Sequence, residues 1–249
     1  VLKEAQDLGY AEADPTADVE GYDAARKLAI LGSIAFNRRL FFEDVNCEGI
    51  SKIDKIDIKC GKDMGYVIKL LGIARESRKG VSLNVYPAFI PFEHPLASVR
   101  GSYNAVYIRG NGFDDVMLYG RGAGSLPTGS SVVADIMEEA INVARHNTGR
   151  RIQFYYDQKE IYAPGKIESC YYMRLVVENK MGVLAKVAEK FAEQRISVLN
   201  VVQQMEKPET ATLVITTSKC PGAYISNVID SFNHLRSVKS VASVIRIMD

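Results

Sequence analysis

Apolar positions along this chain alternate between two spacings, about 3.6 and 2 residues, and the changes of spacing mark its elements. From 18 to about 36 the run DVEGYDAARKLAILGSIAF has helical spacing, with Asp18 in place as its N-cap. Asp23 and Lys27 stand four residues apart, hence on one face, and at about 100° per residue that face continues through Ile30, Leu31 and Ile34. The next stretch, IDKIDIKCGKDMGYVIKLLGIARES, predicts a short helix and then a strand around 66–75. In GVSLNVYPAFIP, Val81, Leu83 and Val85 alternate with Ser82, Asn84 and Tyr86, which is strand periodicity. NAVYIRGNGFDDVMLYG predicts two strands about a Gly110-Asn111-Gly112 turn. From 130 to 146, Val132, Val133, Ile136, Met137, Ala140, Ile141 and Ala144 return to helical spacing.

The pattern breaks between about 147 and 168, where polar residues, Gly and Pro predict a linker with some ordered strand. Beyond it, YYMRLVVEN, ISVLNVVQQME, TATLVITTS and VKSVASVIRIMD read as strands. GVLAKVAEKFAEQR and GAYISNVIDSFNHL read as helices, the first with Val183, Leu184, Val187, Ala188 and Phe191 inward. The order β-α-β-β-α-β is the ferredoxin-like arrangement. The expected fold class is α+β: a mixed or antiparallel-sheet domain over 1–150, a linker over 151–168, and a ferredoxin-like domain over 169–249.

With 249 residues and 47% hydrophobic content, the chain can bury a sizeable core in one or two domains. A net charge of +1 with mixed signs predicts no nucleic-acid partner. No apolar run approaches the roughly 20 residues needed to span a bilayer, so no membrane partner is expected. Cys47, Cys60, Cys170 and Cys220 stand far apart with no C-x2-C pair, and His94, His146 and His234 are scattered. That distribution predicts no metal site and a reduced, cytoplasmic setting. No signal-peptide pattern opens the chain. Its first residues, VLKEAQDLGY, read as the middle of an amphipathic helix, so a truncated chain is expected.

The densest chemistry lies in AQDLGYAEADPTADVEGYDAARK, residues 5–27. Read alone, Asp23 and Lys27 fit a surface ion pair of about 0.3–0.5 kcal/mol, or a lysine held at the edge of an apolar stripe. Their wider setting resembles the signature of homoserine dehydrogenases. The positions that carry the resemblance are Ala5, Gly9, Tyr10, Ala11, Asp14, Pro15, Asp18, Val19, Gly21, Asp23 and Lys27. It implies an NAD(P)-dependent oxidoreductase interconverting L-aspartate 4-semialdehyde and L-homoserine, serving threonine, methionine and isoleucine biosynthesis. It also implies that Lys27 passes a proton to the alkoxide formed as hydride reaches the aldehyde carbon. Asp23 would orient that lysine and contact the substrate hydroxyl. Glu12 would bind the substrate ammonium, with Tyr10 and Asp18 in the same pocket. Carboxylates suit a zwitterionic substrate, whose ammonium needs an anionic partner. Taken alone, Glu12 and Asp18 also fit turn and capping chemistry.

A second candidate is YGRGAGSLPTGSSVV, a Gly-rich link from a strand to the long helix. Helix-start N–H groups can meet an anion or cofactor, although a close-packed turn explains the glycines equally well. The segment resembles the family's stretch beside the nicotinamide, which implies cofactor contacts for Gly122, Ala123 and Gly124. No Rossmann fingerprint occurs in these residues. In the family the main cofactor domain, a second active-site lysine and most of a metal-ion site lie upstream of the motif. NADP or NAD is therefore the implied cofactor, and this fragment alone is expected to be inactive.

The turn V-E-N-K-M-G-V-L-A-K, with the β-α-β-β-α-β order, resembles an ACT domain, an amino-acid-sensing module. Gly182, Val183 and Leu184 fit the usual turn, while Asn179 and Met181 depart from it. The resemblance implies effector binding at Asn179, Gly182, Val183 and Leu184, with threonine the expected effector, and a homo-oligomer of at least two copies. The alternatives are a non-catalytic ACT regulator on an enzyme remnant and another ACT-bearing dehydrogenase, such as one acting on 3-phosphoglycerate. Glu12, Asp23 and Lys27 at family spacing argue against the remnant. The lack of a basic phosphate-binding cluster near Lys27 argues against the phosphoglycerate enzyme.

Overall fold

Strands β2 (Tyr66–Ser77) and β3 (Gly80–Pro91) form a hairpin in unbroken register, from Tyr66 opposite Pro91 to Ser77 opposite Gly80. In this computed structural model, which describes residues 14–147 and 160–248, β3 is the strand around which the rest is built. Its alternation predicts one buried and one polar face, yet Gly80–Ile90 is buried throughout, Ser82 and Asn84 included. At its other edge three separate segments pair with it in parallel. Ile161 bridges Val81, strand β1 (Asn46–Cys47) pairs at Asn84 and Val85, and β10 (Val238–Ile247) pairs at Ala88 and Phe89.

The predicted helix over 18–36 is interrupted. A single turn, α1 (Thr16–Val19), is followed by α2 (Tyr22–Ala35). Asp18 lies inside the first turn and caps neither helix. The residue before α2 is Gly21 in the left-handed region, and no side chain caps it. Ala25, Leu28 and Ala29 bury α2 against Val81, Leu83 and Val85 of β3. The short predicted helix is α3 (Lys55–Asp63), started by a capping box in which Asp54 and Asp57 each accept a backbone N–H.

Strands β4 (Tyr103–Gly110) and β5 (Phe113–Arg121) form the expected hairpin, a two-stranded sheet of their own. Helix α4 (Ser125–Ala144) begins five residues before the predicted 130, running through Pro127. Proline is tolerated in a first turn because its missing N–H would have no partner there. The apolar stripe of α4 is covered by nothing among the described residues: Val132, Ile136 and Met137 are half-exposed or more.

The remaining elements are β6 (Glu168–Glu178), α5 (Val183–Glu193), β7 (Val198–Lys207), β8 (Thr210–Thr217), a two-residue β9 (Cys220–Pro221) and α6 (Gly222–Asn233), ahead of β10. Their lateral order is β10-β6-β8-β7, antiparallel at every step. Val183, Val187 and Phe191 of α5 and Ile225, Val228 and Phe232 of α6 close one core on this sheet, the two phenyl rings meeting edge-on at 5.7 Å. Through β10 it is continuous with β3, so among the described residues one eight-stranded mixed sheet joins the two parts.

A second tie crosses the same junction. Asp57 on α3 is fully buried and accepts from Arg174 of β6 at 2.7 and 3.0 Å, and from the Tyr172 hydroxyl at 3.0 Å. The Asp54 N–H, at 3.0 Å, supplies a fourth donor. Burial and the adjacent carboxylate hold the Tyr172 phenol well above its ordinary range.

Candidate functional site

Helix α2 places Lys27 Nζ 2.6 Å from Asp23 Oδ2. The helix is launched by Gly21, packed under Val85 and Cys47, so its buried face is fixed as the Ala25–Leu28–Ala29 side. Asp23 and Lys27 therefore face outward, with side chains 41% and 63% exposed. The apolar positions in line with them, Ile30, Leu31 and Ile34, are exposed as well. These residues share one face, as their spacing predicts, and that face is an outer surface on which Lys27 is not partly buried. An exposed pair at this spacing contributes only about 0.3–0.5 kcal/mol to a helix. Its chemical value is a lysine nitrogen with a carboxylate held beside it, on a surface bordered by Tyr22, Arg26 and Phe42.

Asp18 is exposed in the turn before α2, where its carbonyl accepts from the Gly21 N–H at 3.2 Å. Tyr10 and Glu12 lie outside the described residues.

Gly122, Ala123 and Gly124 link β5 to α4, as the sequence predicts. A Cβ at Gly122 would fall 1.5 Å from the Asn104 amide, and Gly124 has φ +120°. The backbone angle at Gly124 requires glycine, whereas at Gly122 the crowding comes from the side chain of the exposed Asn104. Gly124 opens a 20-residue helix whose first N–H groups receive no side-chain cap, which fits the approach of a polar or anionic group. Among the described residues, no group of three or more His, Cys, Asp or Glu is placed to hold a metal ion.

The four candidate effector residues come together. Asn179, Gly182, Val183 and Leu184 line one cavity of about 280 Å³ between the end of β6 and the start of α5. Gly182 caps α5 at φ +82°, with nothing within 4 Å of where a Cβ would stand. Glycine is needed there for its backbone angle, while the space beside it is open. The Asn179 amide donates to the Pro208 carbonyl at 3.2 Å.

Local sequence does not reveal the charge at this cavity. Glu178 lines it and pairs with Lys180 at 3.0 Å and with Lys239 of β10 at 2.6 Å. These ammonium groups, Lys239 first, hold the Glu178 carboxyl down to about 2 from an ordinary 4.5. A carboxyl depressed in the folded state favours folding above its unfolded value and loses that contribution as pH falls through about 2. A carbon-13 titration should give Glu178 a midpoint near 2. Lys239→Met should move that midpoint upward. A wild-type midpoint in the ordinary carboxylate range would rule out the pairing in solution.

A family model described as homoserine dehydrogenase matches residues 1–137. The homoserine dehydrogenase of Bacillus subtilis is 39% identical over 249 residues, covering 99% of this chain and 58% of its own length. That of Corynebacterium glutamicum is 41% identical over 251 residues, covering 99% of this chain and 56% of its own. The crystal structure of a homoserine dehydrogenase from Thiobacillus denitrificans has a TM-score of 0.89 at 37% identity, over 100% of this chain and 57% of that one. One from S. aureus gives 0.70 at 31% identity, over 100% and 58%. The chain thus spans little more than half the length of these relatives. With that share of their length and identity over nearly all of its own, the chain belongs to the homoserine dehydrogenase family.

Proposed function

We propose that this chain is the catalytic and regulatory part of an enzyme that interconverts L-aspartate 4-semialdehyde and L-homoserine with NADPH or NADH. The observation that carries the reading is the Asp23–Lys27 pair, held at 2.6 Å on an open face of α2 within the family's motif. Lys27 donates a proton to the carbonyl oxygen as it becomes an alkoxide, and accepts it back in the reverse direction. Asp23, one turn earlier, keeps the ammonium in place and meets the substrate hydroxyl. Glu12 binds the substrate ammonium, with Tyr10 and Asp18 beside it. When bound, the nicotinamide supplies or removes hydride. Gly122, Ala123 and Gly124 offer it a backbone surface at the start of α4, while the larger part of its site belongs to the portion of the relatives that this chain does not span.

The catalytic domain occupies 1–150, a linker 151–168 and an ACT domain 169–249. The strand order β10-β6-β8-β7, with α5 and α6 on one face, supports the last assignment. The cavity at Asn179, Gly182, Val183 and Leu184 is the effector site, and threonine is the effector. Opposite charges on Glu178 and Lys180 suit the two ends of an amino acid. The chain associates with at least one further copy. The half-exposed Ile108, Leu118 and Tyr119 of the β4–β5 hairpin support that. The setting is cytoplasmic. No described helix is long and apolar enough to cross a membrane.

The purified 249-residue chain should bind threonine by calorimetry, yet show no NADPH-dependent reduction of aspartate semialdehyde. Gly182→Asp should abolish the binding heat, because it sets a carboxylate against the effector's own. Saturable reduction by this chain would overturn the assignment of the cofactor site elsewhere. Absence of heat with threonine, methionine, isoleucine and lysine would overturn the sensing role.

A further inference from the structure

The last strand of the chain reaches back to the base of the catalytic helix. Arg246, near the end of β10, lies opposite Ala88 of β3 in the parallel ladder that joins the two parts of the sheet. Its guanidinium stacks over the Tyr86 ring at 4.2 Å and stands 5.8 Å from the Tyr171 ring. Rings from two different strands thus flank the guanidinium. From that position Nη1 meets Glu48 Oε2 at 3.4 Å.

Glu48 belongs to the segment on which α2 is seated. Its N–H donates to the Val85 carbonyl at 2.8 Å, which fixes the segment to β3. On the other side the segment touches the turn before α2. Cys47 Sγ meets the Glu20 carbonyl at 3.3 Å, and the Ile50 N–H donates to the Val19 carbonyl at 2.8 Å. These contacts have no slack. A Cβ at Gly49 would lie 2.4 Å from the Val19 oxygen and 2.5 Å from Glu20 Cα. A Cβ at Gly21 would lie 2.9 Å from Val85 Cγ1. Gly21 is the N-cap of α2, and Asp23 is the second residue of that helix. A shift of Glu48 is therefore passed by direct contact to the first turn of α2, and so to the aim of Asp23 and Lys27.

We infer that Arg246 is a positioning residue for the Asp23–Lys27 pair, acting through Glu48 and the Cys47–Gly49 segment. The inference rests on the proposed role of Lys27 and concerns how that lysine is aimed. Small displacements of a group that must meet a reacting atom cost rate steeply, about 10²-fold for an ångström. The ion pair is partly exposed, so its loss leaves the fold standing. Arg246→Lys keeps the charge but loses the planar stack on Tyr86, so it should fall between wild type and Arg246→Met.

The test is steady-state kinetics on the full-length enzyme carrying Glu48→Gln, Arg246→Met, Arg246→Lys or the Glu48→Gln/Arg246→Met double change, beside Lys27→Ala. Glu48→Gln and Arg246→Met should each lower kcat by about 10-fold or more with KM for homoserine nearly unchanged. The double variant should be no slower than the slower single one, because both changes break one connection. Hydrogen exchange on the 249-residue chain should quicken at 22–27 in both single variants, with an unchanged melting temperature. Wild-type kcat in Glu48→Gln and Arg246→Met, alongside a crippled Lys27→Ala, would overturn the positioning role alone. Wild-type kcat in Lys27→Ala would overturn the catalytic reading beneath it. Should Arg246→Met fail to fold, Glu48→Gln decides the matter, since it changes one charged atom and no volume.

Discussion

Asp57→Ala is expected to destabilise the protein by about 3–5 kcal/mol, the usual cost of stripping one partner from a buried ion pair. Asp57 is fully buried and the Arg174 side chain is 8% exposed, so water cannot replace the lost carboxylate. Arg174 would keep its charge with two donors unmet, and the Tyr172 hydroxyl and the Asp54 N–H would lose their acceptor too. Replacing both partners with apolar residues, as in Asp57→Leu/Arg174→Met, should recover much of the loss, because the charge that needs compensation is gone. Denaturant midpoints of the two single variants and the double one measure this. A single-variant loss below about 1 kcal/mol would mean the pair is hydrated in solution and does not bind α3 to β6.

Lys27→Ala in the full-length enzyme should behave in the opposite way, with stability within about 0.5 kcal/mol of wild type and kcat lower by about 10²–10⁴-fold. The first part follows from its exposed position, where the Asp23 pair adds little to the helix. The second follows from the role proposed for it, since the variant lacks the ammonium that would protonate the developing alkoxide. Glu12→Gln should instead raise KM for homoserine more than it lowers kcat, because in the proposed mechanism it removes an ammonium partner and not the proton donor. A Lys27→Ala enzyme with both low kcat and low melting temperature would make the lysine a structural residue.

Elements defined by local periodicity were legible in the sequence. The β4–β5 hairpin turns at Asn111–Gly112, inside the predicted turn, and the strands and helices of 168–247 follow in the predicted order with the two-residue β9 added. The Asp23–Lys27 pair was also legible, since four-residue spacing on a helix puts two side chains together. Periodicity groups residues on a face but does not say whether anything covers it. Ile30, Leu31 and Ile34, and the stripe of α4, share a face as their spacing predicts, yet are exposed. What was not legible depends on long-range pairing. The polar residues Ser82 and Asn84 are buried, and β1, Ile161 and β10 reach β3 from three distant parts of the chain. Arg174 meets Asp57 across 117 positions, and Lys239 meets Glu178 across 61. The break at Gly21 has the same origin, because Val85 and Cys47 determine the path of the chain there.

In the proposed mechanism Lys27 delivers the proton that converts the aldehyde into the alcohol. Chemical rescue of the Lys27→Ala full-length enzyme tests it most directly. Small primary amines added to the assay should restore part of kcat in proportion to their concentration, with a Brønsted dependence on amine pKa, and should leave the wild-type rate unchanged. If the variant is slow and no amine accelerates it, Lys27 does not carry the proton.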